Sequence, residues 1–201
     1  VSAARSARAV LLALLLAGCA SPPERFYTLS PMGTAKPAAG RPAYRVAVGP
    51  VSIPALVDRP QIVARTGAER VTLAEQSRWA APLKDNVAYV VAGNLALLLG
   101  DALVAADSQS AAAGAGFRVL LDIQRFDSTL GEAATLEVLW TVTVANGGPA
   151  TSGRALIREP ATGPDYDAIV AAHNRALAAV SRQIAAAIEQ RRQGFPAAPG
   201  S

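Results

Sequence analysis

The chain has 201 residues, 51% of them apolar, and 19 basic against 15 acidic side chains give it a formal charge of +4. That length suits one domain with a substantial core. A single cysteine excludes an internal disulfide, and with only one histidine beside it no metal site can be assembled from several such ligands. The basic residues do not cluster with aromatic ones, which argues against nucleic-acid binding.

Residues 1–18 read as a secretory leader. Arg5 and Arg8 precede the apolar run Ala9 to Leu16, and small residues, Ala17 and Gly18, follow it. As a helix, Ala9 to Ala17 would rise only about 13 Å, against a hydrocarbon core of about 30 Å, so the run does not span a bilayer. The lone thiol, Cys19, comes next. Leu16-Ala17-Gly18-Cys19 resembles the lipobox of bacterial lipoproteins. That resemblance implies diacylglycerol on Cys19, cleavage between Gly18 and Cys19, and acylation (palmitate) of the new amine. One acyl chain binds a membrane only marginally, whereas several anchor a protein almost permanently. No cofactor beyond this covalent lipid is expected. Loss of the leader would leave 183 residues and a formal charge of +2. Ala20 stands where, in the enterobacterial sorting rule, an aspartate favours inner-membrane retention, which points to the outer membrane.

Residues 19–25, with Pro22-Pro23, form a lipidated tether reaching at most about 20 Å. Phe26 to Leu29 is rich in strand formers and stops at Ser30-Pro31. Thr34 to Pro42 reads as loop, and Tyr44 to Val48 as a second strand ended by Gly49-Pro50. From Val51 to Pro60, two prolines stiffen a segment that carries Ile53, Leu56 and Val57, unusually apolar for a surface loop. Its Asp58-Arg59 pair is either a solvated contact worth under about 1 kcal/mol or part of a partner-binding surface. A proline-stiffened loop loses little entropy on docking, so Ile53, Leu56, Val57, Asp58, Arg59 and Pro60 are the candidate contact residues.

Gln61 to Thr66 and Arg70 to Ala74 form a hairpin about Gly67-Ala68. Trp79, beside Pro82-Leu83, reads as a seat for the following helix on the sheet. That helix runs from Pro82 to Leu99 and places Val87, Val90, Val91, Leu95 and Leu98 on one face. Tyr89, Leu97 and Leu99 add apolar surface elsewhere, so more than one side is covered. Ala105 to Gly116 lacks periodicity and reads as a flexible loop. Phe117, Val119, Leu121 and Ile123 then share one side of a strand, and Leu136, Val138, Trp140, Val142 and Val144 one side of the next. Asn146-Gly147-Gly148 turns the chain into a third strand, Thr151 to Arg158. Asp165 caps a long helix whose stripe is Tyr166, Ile169, Val170, His173, Leu177, Val180, Ile184 and Ile188. Arg191-Arg192 suit its end, and Gly194 and Pro196 stop it, leaving 194–201 as a disordered tail. The predicted fold over 26–193 is a single α/β domain, a mixed, largely antiparallel sheet packed against two main helices.

Candidate catalytic residues are few. His173 lies inside the apolar stripe and reads as a core residue. No Gly-x-Ser-x-Gly elbow and no P-loop occur, and Gly114-Ala115-Gly116 opens onto a strand rather than a helix. The residues therefore describe a tethered, non-catalytic body. Competing readings are a periplasmic enzyme acting on cell-wall or lipid esters through His173, and a structural lipoprotein that binds peptidoglycan.

Several stretches together carry a resemblance: Phe26-Tyr27-Thr28-Leu29, Val48-Gly49-Pro50-Val51 with Ile53-Pro54, Asp58-Arg59-Pro60-Gln61-Ile62-Val63, Trp79-Ala80-Ala81-Pro82-Leu83, and Asn94-Leu95. Over nearly the whole mature chain they resemble the ABC-type transport auxiliary lipoproteins, the PqiC-like family. Leu56-Val57 stand where many relatives carry an aromatic residue. The resemblance implies a lipid-anchored protein on the periplasmic face of the outer membrane. Its implied partner is an MCE-domain protein of the PqiB type, or an MCE/ABC transporter, moving lipid between membranes and maintaining envelope integrity. It also implies ring-like self-assembly.

Overall fold

The computed structural model describes residues 23–36, 42–106, 114–145 and 147–193; the leader, the Gly18–Cys19 junction and the 194–201 tail lie outside them. Regular structure runs in the order β1 (Arg25–Tyr27), β2 (Tyr44–Ser52), β3 (Gln61–Arg65), β4 (Val71–Trp79), α1 (Leu83–Leu99), β5 (Ala102–Ala106), β6 (Phe117–Thr129), β7 (Ala133–Val144), β8 (Thr151–Pro160) and α2 (Tyr166–Gln193).

The strands form two sheets. Five join in the order β5-β2-β6-β7-β8 and three in the order β1-β4-β3. β2 pairs in parallel with both β5 and β6, and β1 in parallel with β4; the longest ladders, β6 with β7 and β7 with β8, are antiparallel. Alternation decides which side of the large sheet is covered. Val119, Leu121 and Ile123 of β6 stand opposite Val142, Trp140 and Val138 of β7, and all six are buried beneath the helices. Between Ile123 and Arg125 the register shifts by one residue. A bulge of this kind reverses the parity of a strand. Phe126 and Ser128 consequently point inward, although a strict count from Phe117 would turn them out.

β5 was not expected: the sequence reads as loop from Ala105. The strand is short and alanine-rich, with only Leu103 and Val104 to signal it, and it is strand because β2 lies alongside. Immediately before it, Gly100 ends α1 at φ +67°, its N–H returning to the Ala96 carbonyl. The Asp165 carboxylate accepts the Ala168 N–H at 2.8 Å and caps α2 as expected. From Ile169 to Ile188 the α2 stripe is buried, and Tyr166 is half-buried against it.

Tyr89 does not take part in a second covered side of α1, being 64% exposed, but the helix is covered on a second side for a specific cause. Residues 28–36 run alongside the helix as an extended strap. Asn94, fully buried, accepts the Met32 N–H at 2.6 Å and donates to Ser181 Oγ of α2 at 3.2 Å. Thr28 donates to Asn86, Ser30 N–H to Asn174, and Lys36 N–H to the Leu97 carbonyl. Pro31 presses so closely on Gly93 that a Cβ there would lie 2.4 Å from its Cγ. Among the described residues no helix is long and apolar enough to cross a membrane.

A candidate docking cleft at the start of α1

The two sequence stretches Asp58-Arg59-Pro60 and Trp79 to Leu83 are about twenty residues apart in the chain, yet they face each other across one cleft. It holds about 460 Å³ and is lined by Asp58, Arg59, Pro60, Trp79, Ala80, Ala81, Pro82, Leu83 and Lys84. One hydrogen bond explains the convergence: Trp79 N–H donates to the Pro60 carbonyl at 2.7 Å, tying the end of β4 to the base of the loop. The loop itself is folded locally. Val57 and Asp58 N–H groups both donate to the Pro54 carbonyl, and Arg59 N–H donates to Val57. Pro82 ends the run after Trp79 and starts α1 without a side-chain cap.

The candidate contact residues divide by burial. Val57 turns into the core and holds the loop from beneath, and Ile53 is half-buried against the same core. Leu56 is 42% exposed at the crest. Pro60 is exposed and Arg59 half-buried. Asp58 does not pair with Arg59; its carboxylate faces Lys84 at 4.0 Å, with both side chains nearly half exposed. Such a contact is worth under about 1 kcal/mol. Trp79, Ala80, Ala81, Pro82, Leu83 and Lys84 are cleft residues that were not among the contact candidates, and the signal for them was the Trp79 to Leu83 stretch that carries the family resemblance. Among the described residues the Nε atoms of Arg59 and of Arg78, one position before Trp79, are both shut off from solvent without an acceptor, and Arg78 is also paired through Nη2 with Glu24 at 3.1 Å.

Behind the cleft lies a short aromatic column. Trp79, buried as expected, meets Phe126 edge-to-face with ring centroids 6.2 Å apart. Phe126 in turn stacks on His173 at 3.8 Å and 4°. His173 has no solvent exposure, and its Nε2 is hydrogen-bonded to the buried Ser128 Oγ at 2.8 Å. Burial pushes the imidazole down to about 3, against a weaker upward pull from Asp127. Its Nδ1 is buried and has no partner among the described residues. A substrate could reach Ser128 and His173 only by opening the core. Among the described residues no group of three or more His, Cys, Asp or Glu is placed to hold a metal ion.

The fold and the cleft together define a small α/β domain with an apolar recess on its surface. The chain belongs to the family of ABC-type transport auxiliary lipoprotein components, whose family model matches residues 27–185. Comparison with curated proteins finds no match. Among solved structures, an uncharacterized protein shares the fold at a TM-score of 0.69 and 18% identity, over 83% of this chain and 99% of that one. A protein of the DUF330 family from Xanthomonas campestris does so at a TM-score of 0.65 and 20% identity, over 84% of this chain and 99% of its own.

Proposed function

We propose that the protein is a non-catalytic, periplasm-facing lipoprotein of the outer membrane that docks onto a larger transport machine. In this reading Cys19 carries the lipid anchor after cleavage from Gly18, residues 19–25 form the tether, and the α/β domain is the docked part. The partner is an MCE-domain protein of the PqiB type, or an MCE/ABC transporter, and the system moves lipid between membranes and maintains the envelope. Self-association into a ring belongs to the same proposal.

The observation that carries the reading is the convergence of Asp58-Arg59-Pro60 and Trp79 to Lys84 on one recess, with Leu56 exposed beside it. An apolar, preformed recess flanked by proline-stiffened backbone binds at low entropic cost. The inward position of His173 supports a non-enzymatic role. The test is co-purification of the MCE partner with the lipidated protein. Leu56→Asp, and Asp58→Ala combined with Arg59→Ala, are each expected to lose the partner while keeping the thermal midpoint. Retention of the partner by both variants would remove this surface.

A further inference from the structure

We infer that the cleft takes a carboxylate carried beside a bulky apolar side chain on a segment of the transport partner. The inference rests on the docking reading and adds the chemistry of what docks. Three features of the recess point to it.

First, the walls are apolar and fixed. Trp79, Pro60, Pro82 and Leu83 line them, and the Trp79 N–H bond to Pro60 holds the two sides together. A leucine-sized group on the partner would shed its hydration there, which favours binding in proportion to the apolar surface covered. Second, the charge is lopsided. Asp58 and Lys84 face each other, while Arg59 has no acidic partner among the described residues. A carboxylate entering the recess would give that guanidinium an acidic partner, and its fork matches two carboxylate oxygens at once. Third, Asp58 sits on the same rim. Its charge disfavours a dianion such as a phosphate monoester more than it disfavours a singly charged carboxylate.

The experiment uses the full lipidated protein in detergent and follows the indole N–H resonance of Trp79 by NMR. N-acetyl-leucine is titrated against its uncharged amide, N-acetyl-leucinamide, and against inorganic phosphate and phosphatidylglycerol vesicles. The acid is expected to move the Trp79 signal at roughly tenfold lower concentration than the amide, the size expected for one charge-assisted hydrogen bond. Arg59→Gln should erase that difference without moving the unliganded Trp79 resonance, and Arg59→Lys should retain part of it. Equal response to acid and amide overturns the inference, as does a stronger Arg59-dependent response to phosphate or vesicles. A parallel measurement separates the two proposals: loss of the MCE partner on Leu56→Asp but not on Arg59→Glu leaves docking standing and removes the carboxylate. Loss on both, with the acid preference present, supports both.

Discussion

At the scale of single residues, His173 shows how burial becomes pH dependence. An unperturbed imidazole takes up its proton near pH 6.5, whereas this one, enclosed between Phe126 and Ser128, does so at about 3. Between those values the unfolded chain binds more protons than the folded protein, so stability falls as the pH is lowered. The contribution amounts to a loss of about 2–3 kcal/mol between about pH 6 and pH 4. Burial drives the Asp127 carboxyl upward, but hydrogen bonds and charge from Arg125 and Arg65 more than offset it, leaving the group below its ordinary value. Its contribution is therefore present above the usual carboxylate range and is lost at still lower pH. Urea unfolding across this range should give a flatter pH profile for His173→Gln than for the wild type, whatever the variant loses at neutral pH. A profile as steep as the wild type's would mean another group carries the dependence. The inward placement of His173 was legible from its position in the α2 stripe. Its partner Ser128 was not, because the bulge after Ile123 reverses a parity that counting along the sequence preserves.

At the scale of elements, the strap over α1 is held to the helix by its own backbone and by two small features of that helix. Gly93 and Asn94 hold it from opposite chemistry, one by having no side chain in the way of Pro31 and the other by a buried amide. Gly93→Ala should force the strap or the helix to shift, at a cost of about 1–3 kcal/mol. Asn94→Ala leaves the Met32 N–H without its acceptor at a similar cost of about 1–3 kcal/mol. Both variants should lower the thermal midpoint and expose residues 28–36 to limited proteolysis; an unchanged cleavage pattern would show that the strap is held elsewhere. A comparable close fit lies in the large sheet, where a Cβ on Gly153 would overlap the Trp140 ring. Helices and the long strands of the meander could be read from spacing alone, since their burial is a local pattern. β5 and the strap could not. Both are defined by what lies beside them, and a five-residue alanine-rich segment or a proline-containing loop carries no period to reveal that neighbour.

At the scale of the whole molecule, two sheets and two helices pack as one domain, and the described chain enters it at β1. The parallel pairing of β1 with β4 and the bond from Ala80 N–H to the Tyr27 carbonyl connect that entry to the cleft side of the domain. In the proposed arrangement the anchor and the docking surface thus share one end of the small sheet. The Asp-Arg-Pro and Trp-Ala-x-Pro-Leu stretches were recognisable along the chain, but their meeting across a single recess was not, since it depends on β3 and β4 bringing distant ends together. Replacing Cys19 by serine should release the protein into the soluble periplasmic fraction and remove the lipid mass from its amino terminus. Persistence in the membrane fraction would contradict a lipid anchor. The central claim, that the loop crest and its cleft grip the transport partner, is tested most directly by photo-crosslinking in cells. A benzophenone amino acid placed at Leu56 should crosslink to the MCE partner, and the same group at the more exposed Leu156, on the outer face of the large sheet, should not. A crosslink to that partner from position 156 and none from position 56 would contradict the account.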